Sequence, residues 1–524
     1  MKTVISIDYG TLTARGILID AENGTVLCSH NIDYPHGVME GALASAEDYE
    51  NTLMDILEAI TPPQYRDSIC GICVDGTSLT LVPLAKDGRA LGTLDAFRDE
   101  PQAQIKMWKR HAAATQAEEA LRLAKEMDEP FIDYSGGSLS SEWMLPKLLE
   151  MRDEAPEAYE ATDLALDLCD FLTLRLTGVL SRSAAAMQFK SSCPREEGFP
   201  SDAYLNALRP GFAKEYAHLL RGPIFGPGER IGFLTDALCQ RFGLKGPVAV
   251  ASGTIDGHIP VCALGALTAG DVVMTVGTSG ALMAQTDRAQ KIADIAGIGT
   301  EAVVPGLYTI ECGQNCVGDM LAWFVNNCLP ASVRQEADAA GVSVHTLLCS
   351  RIREPWNNRL MAADWWNGSR CAPCDLSLQG SIIGMTLDTK PEDIYLALLQ
   401  AIVCGARDQA ELLTSHGVTI KRFLATGGIT GKNPLLMQEY ANILNADVLV
   451  GQVKEGPALG AAIYGAVAAG IYDTVQEAYA HIGVKEFVTY TPDPIHRQEY
   501  ESLYQRNRIM RRLLRQLQHE TASL

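Results

Sequence analysis

The chain has 524 residues, too many for a single hydrophobic core and enough for two domains that each bury an interior. Hydrophobic residues make up 47% and charged residues 20%, the balance of a soluble globular protein. A net charge of −21 argues against nucleic acid and anionic membrane surfaces as partners, so a nucleotide site here must be locally positive or metal-assisted.

At the start, only a few apolar residues separate Lys2 from Asp8, too few for a signal peptide, and a cytoplasmic protein is expected. Val4, Ile5 and Ile7 predict a buried strand that stops at Asp8. Gly10, Thr11 and Thr13 predict a tight turn, Gly16 to Ile19 a returning strand, and Asn23-Gly24 a further hairpin. A carboxylate at a strand tip, facing N–H and hydroxyl donors, suits a phosphate tail, with the carboxylate holding a hydrated Mg²⁺. On this stretch alone, an ordinary surface hairpin with a turn-forming Asp stays open.

Glu47 to Ile60 reads as a helix. Cys70 to Val74 reads as a buried strand ending at Asp75-Gly76-Thr77-Ser78, a kind of tip where α/β sheets collect ligands. Cys70 and Cys73 point to opposite faces of that strand and do not share a metal. A polar segment from Asp95 to His111, containing Arg98 and Arg110, precedes a helix over Ala113 to Glu126. The Gly/Ser loop Tyr134 to Trp143 feeds another helix, with Ser140 or Ser141 as its cap. Cys169 to Leu176 is helical. Lys190 falls in a stretch of low regularity, residues 184–194, where a lysine is ordinarily solvated. Val248 to His258 is a strand followed by a Ser/Gly/Thr turn, with Asp256 where a helix would begin, so an N-cap is its structural alternative.

Asp271 to Asp287 then repeats the opening pattern: strand, Gly277-Thr278-Ser279 turn, strand. Glu311-Cys312-Gly313-Gln314 is a strand end running into a helix, and the i,i+4 spacing of Cys312 and Cys316 suggests packing. Asp364-Trp365-Trp366-Asn367-Gly368 is an aromatic-polar loop, and the nearby Cys371 and Cys374 have no second pair at zinc-ribbon spacing. Fourteen cysteines without a secretory signal predict a reduced protein. Phe423 to Pro434 reads as strand, Gly427-Gly428 turn and helix. Ala458 to Tyr472, rich in Gly and Ala, is too short to span a bilayer and predicts a buried helix. From Ile495 the tail is a basic amphipathic helix whose apolar side, including Tyr500, Leu503, Met510, Leu513 and Leu517, is expected to dock. Two motifs fail. Thr426 stands where a P-loop ending at Gly431-Lys432 needs its first glycine, and Pro305 interrupts the helix that a dinucleotide site at Gly297-Ile298-Gly299 would require.

Two phosphate hairpins in two halves resemble the duplicated ATPase core of actin, hexokinase and the sugar kinases. More narrowly, the chain resembles the FGGY family of carbohydrate kinases, in its ribulokinase branch. The resemblance runs through Asp8-Tyr9-Gly10-Thr11, Ser141-Glu142-Trp143, Ile255-Asp256, Val276 to Ser279, Glu311 to Gln314, Asp364 to Gly368, Gly427-Gly428-Ile429 with Lys432-Asn433, and Ala458 to Ala462. It implies an α/β fold of two duplicated actin/hexokinase-like (ribonuclease H-like) ATPase domains with a cleft between them. The expected division is 1–262 for the sugar and first phosphate loop, 263–495 for the nucleotide, and 496–524 for the C-terminal helix.

The implied activity is ATP-dependent phosphorylation of a ketopentose, L-ribulose foremost, with ATP and Mg²⁺ as cofactors and a homodimer as one assembly. Asp256 would be the base and Asp8 the Mg²⁺ ligand. Gly10, Thr11 and Thr13 would hold phosphates on one side, and Gly277, Thr278 and Ser279 on the other. Gly427, Gly428 and Asn433 would shape the adenosine pocket, and Lys190 and Glu311 would bind the sugar. Arg98 is placed with them as a substrate residue, yet Arg98 and Arg110 depart from the branch pattern, which has a small residue and an acid there. Other sugars or polyols (D-ribulose, xylulose, ribitol), an actin-like ATPase without a metabolic substrate, and a sugar sensor without catalysis are the alternative readings.

Overall fold

The computed structural model describes residues 1–452 and 456–522. Among these residues there are two seven-stranded mixed sheets. In the first, Thr3–Tyr9 lies at the centre. On one side it pairs antiparallel with Thr13–Asp20, which pairs antiparallel with Val26–Asp33. On the other side it runs parallel to Ile69–Gly76, followed by Ala249–Ala251 in parallel and Arg230–Phe233 antiparallel.

The second sheet repeats this order and these directions. Asp271–Val276 is central, with Gly280–Thr286 and Tyr308–Gln314 antiparallel on one side. Arg422–Thr426 and Val448–Gly451 follow in parallel on the other, then Phe487–Tyr490 antiparallel. Gly297–Thr300 is an added edge strand. The central strands are buried on both faces, which explains why they read as apolar runs rather than alternating ones. The protein is thus a duplicated α/β fold of the actin and sugar-kinase type.

The two sheets share an apolar cluster that takes Val4, Ile17 and Cys73 from the first and Val273 and Leu424 from the second. Between them lie two helices, Ile259–Ala263 and Gly456–Ala468. Their closeness needs glycine. A Cβ at Gly460 would lie 2.4 Å from the Ile259 carbonyl oxygen, and one at Gly71 2.4 Å from that of Gly465. The small-residue composition of the expected buried helix is therefore a packing requirement.

Several expectations need correcting. Residues 184–190 form a regular helix, Ala184–Lys190, buried throughout. No Ser side chain caps the Met144–Glu154 helix; the Ser140 hydroxyl instead accepts the Glu142 N–H. Cys312 lies on a strand, not a helix. The tail helix, Arg497–Ala522, docks through Tyr500, Leu503, Tyr504 and Met510, but Leu513 and Leu517 are more than half exposed. Arg511 of the same helix is buried between Asp364 and Asp408. Gly297 and Gly299 leave room for Phe189, since a Cβ at either would press on its ring. All fourteen cysteines are free. No described helix is long and apolar enough to cross a membrane.

Candidate active site

Strand register builds the acidic centre. Asp8 on Thr3–Tyr9 stands opposite Asp75 on Ile69–Gly76. Thr254 and Ile255 then pair with Asp75 and Gly76, which carries Asp256 to the same sheet end, where its N–H donates to the Gly76 carbonyl at 3.0 Å. Asp256 does not cap a helix. The Ile259–Ala263 helix begins after His258, and the Asp256 carboxylate accepts the adjacent Gly257 N–H at 2.6 Å. Burial and then the neighbouring Asp8 push Asp256 up to about 7. Asp75 is likewise held well above the carboxylate range, by burial first and then by Asp8 and Asp256. Neither Asp75 oxygen meets an N–H or hydroxyl donor among the described residues.

At the matching register of the second sheet, Thr275 pairs with Thr426. One half thus presents carboxylates where the other presents hydroxyls. The turn after each central strand is tight. Gly10 N–H donates to the Thr13 carbonyl at 2.9 Å, and Gly277 N–H to that of Ser279 at 3.0 Å. The first turn is fastened by Tyr34, whose hydroxyl donates to the Gly10 carbonyl, and by Trp108, whose indole N–H donates to Thr11 Oγ at 3.1 Å. The second is fastened by the start of the Gly318–Asn327 helix, where the Gly318 N–H reaches the Gly277 carbonyl at 2.9 Å.

Gly427 packs on the second turn. Its φ is +119°, and a Cβ there would lie 2.3 Å from the Val276 carbonyl oxygen. A Cβ at Gly428 would meet nothing within 4 Å, so open space begins there. Asn433 is occupied as the N-cap of the Pro434–Leu444 helix, its side-chain oxygen accepting the Leu436 N–H at 3.0 Å.

A second cluster lies beside Asp256. Lys190 Nζ is 3.0 Å from Glu311 Oε2, and His258 Nε2 is 3.3 Å from the same oxygen. Burial pushes Glu311 up, but Lys190 and then His258 overcome it and hold the carboxyl well below its usual range. Lys190 is presented by the Ala184–Lys190 helix, which Gln188 locks to the second sheet's edge strand by exchanging two hydrogen bonds with the Thr300 backbone. The charge of Glu311 is also felt at Asp256.

The structure brings Asp8 and Asp256 together, with Lys190 and Glu311 paired beside Asp256; the first turn follows Asp8, and the second follows the equivalent strand of the other sheet. It does not bring Arg98 to them. Arg98 is exposed on a surface turn and paired to Asp95 at 2.8 Å. Arg110 is buried against Glu150 at 2.5 Å, which is why a cation is tolerated where the branch has an acid. Asp75 and His258 are site residues that the sequence reading did not assign. Asp75 was visible as a strand-tip carboxylate, whereas nothing local marks His258.

The C-terminal domain of the FGGY carbohydrate kinases matches residues 272–469. A ribulokinase from Halalkalibacterium halodurans is 36% identical, covering 100% of this chain and 99% of its own. A second, from Shouchella clausii, is 35% identical over 96% of this chain and 94% of its own. Among solved structures, a ligand-bound xylulose kinase from Lactobacillus acidophilus superposes with a TM-score of 0.81 at 19% identity, covering 98% of each chain. Plasmodium falciparum glycerol kinase with ADP gives 0.78 at 16% identity, also covering 98% of each. The full-length relatedness and the duplicated fold agree: this chain belongs to the FGGY family of carbohydrate kinases, in the company of the ribulokinases.

Proposed function

We propose that the protein transfers the γ-phosphoryl group of ATP to a hydroxyl of a ketopentose, with L-ribulose as the preferred acceptor. The observation that carries this reading is the placement of Asp256 between the Asp8–Asp75 pair and the Lys190–Glu311–His258 cluster. On one side lies a place for phosphates, on the other a place for sugar hydroxyls.

Asp256 accepts the proton of the attacking hydroxyl. A carboxylate raised to about 7 is a stronger base than an ordinary one and still ionises near neutrality. Lys190 donates to sugar oxygens, and Glu311, whose charge Lys190 and His258 favour, accepts from sugar hydroxyls. Gly10, Thr11 and Thr13 face the phosphates from the first half, and Gly277, Thr278 and Ser279 from the second. Gly427 and Gly428 leave space for the adenosine. Asp8 and Asp75 fit a divalent cation, because a half-buried and a buried carboxyl stand side by side, and both can ionise there only if a positive charge compensates them. When bound there, magnesium neutralises and orients the phosphates.

Sugar-dependent ADP release across pentuloses, pentitols and hexuloses tests the assignment. The largest kcat/KM is expected with L-ribulose. A profile led by a hexulose or a polyol overturns the substrate, and background release with every sugar overturns the reaction.

A further inference from the structure

On the Tyr308–Gln314 strand side chains alternate between faces, so position 313 looks the same way as Glu311, into the site. That position is a glycine, and another residue fills the space. A Cβ at Gly313 would lie 3.1 Å from Cδ of Arg370. Arg370 thus lies along the site face, two positions beyond Glu311 toward the second phosphate turn. Gly313 stands opposite Ala281, two residues after Ser279.

The loop that carries Arg370 is fixed on both sides. Asp364 is gripped by Arg511 and by Gln314, whose amide donates to it at 2.8 Å. Cys371 Sγ accepts the Gly313 N–H at 2.9 Å, and Ser369 and Asp375 exchange backbone hydrogen bonds. This explains the Asp364-Trp365-Trp366-Asn367-Gly368 tract, which the proposed reaction leaves without a role. Its Asp anchors the loop, and Gly368, at φ +70°, passes against the Leu376 backbone. The guanidinium itself is only loosely held. Among the described residues its one ion pair is with Glu142 of the first half at 3.4 Å, the Arg370 side chain is 44% exposed, and His111 sits 3.8 Å from the same Glu142 oxygen. Such a pair is weak, and a multiply charged anion competes for the arginine.

We propose that Arg370 is a catalytic residue that leaves Glu142 to donate N–H groups to the non-bridging oxygens of the phosphoryl group in transit. This rests on the phosphoryl-transfer reading above. Arg370 forms and breaks no covalent bond. It supplies positive charge where the transition state spreads negative charge, in a chain whose net charge is −21. Glu142 holds the arginine in place until nucleotide arrives.

The test compares Arg370→Ala and Arg370→Lys with the unmodified enzyme. The binding probe is ADP with aluminium fluoride and magnesium, a mimic of the phosphoryl group in flight, titrated without sugar. The expected result is a kcat lower by roughly 10²–10³ for Arg370→Ala, with the thermal melt, ADP affinity and sugar KM unchanged. Fluoroaluminate complex binding falls more than tenfold, and Arg370→Lys recovers part of both losses. If Arg370→Ala melts early, Arg370→Lys decides alone, since a lysine without the planar fork is expected to weaken the complex but not ADP. Unchanged fluoroaluminate binding overturns the proposal. If the loss then appears in sugar KM, Arg370 is a sugar ligand; if activity is also normal, it is a surface cation. The unmodified enzyme reports separately on the kinase reading, because a failure of sugar-dependent turnover there is independent of Arg370.

Discussion

Two carboxylates of the site are displaced in opposite directions, and their environments say why. Asp256 is desolvated and faces Asp8, so its proton is held up to about 7, whereas Glu311 is paired to Lys190 and His258 and keeps its charge. The signs for stability follow. Between an ordinary Asp value of about 4 and about 7, folded Asp256 binds a proton that the unfolded chain has lost, so stability falls as pH rises through that window. Asp256→Asn removes this loss. With a chelator and no nucleotide, its melting temperature is expected to match the parent near pH 4 and to exceed it progressively toward pH 8. Glu311 behaves inversely. Its contribution is fully present above its ordinary value of about 4.5 and is lost as pH falls toward its depressed folded value. Glu311→Gln is therefore expected to melt lower at pH 7, leaving an unpaired buried lysine, with the gap narrowing in acid. Melts of Asp256→Asn between pH 4 and 8, and of Glu311→Gln from pH 7 down to pH 2, check the pair of signs; an Asp256→Asn shift equal at every pH, or a Glu311→Gln gap that stays constant below pH 4, refutes the assigned electrostatics.

Individual elements show how much of the site was legible. Both Gly-Thr turns could be read because strand, Gly-Thr turn and strand are local patterns whose residue types follow from the turn itself. Lys190 was misread because the helix over residues 184–190 is short and buried all round, with no solvent face to create a period. Arg511 was not singled out, for the opposite reason. The tail has a helical period, but two acids from distant segments draw one basic residue inward. Asp75 was visible as a strand-tip carboxylate, but its pairing with Asp8 needed register and His258 needed packing, which sequence does not carry. The glycine turn after Arg422–Thr426 yields a direct contrast. Gly427→Ala combines a positive φ with a 2.3 Å clash against Val276, and is expected to cost at least about 1–3 kcal/mol of stability. Gly428→Ala meets nothing, so it is expected to melt normally and raise only the ATP KM, by narrowing the adenosine space. A normal melt for Gly427→Ala, or an ATP KM unmoved by Gly428→Ala, contradicts this picture of the turn.

At the scale of the whole molecule, one sheet presents carboxylates where the other, at the matching register, presents hydroxyls. The helices Ile259–Ala263 and Gly456–Ala468 lie between the sheets, and glycines at their contacts bring backbones to close range. Closure about this region is expected when sugar and a non-hydrolysable ATP analogue bind together, excluding water from Asp256. Small-angle scattering is expected to show a smaller radius of gyration under saturation, and an unchanged profile contradicts a hinged cleft. The central claim is that Asp256 takes the proton of the attacking hydroxyl, and steady-state kinetics of Asp256→Asn test it most directly. The account predicts a kcat lower by roughly 10²–10⁴, with ATP affinity held or slightly improved, because a negative charge facing the phosphates is gone, and a melt no lower than the parent's. A near-normal kcat in a folded Asp256→Asn enzyme contradicts the account and removes Asp256 from the mechanism.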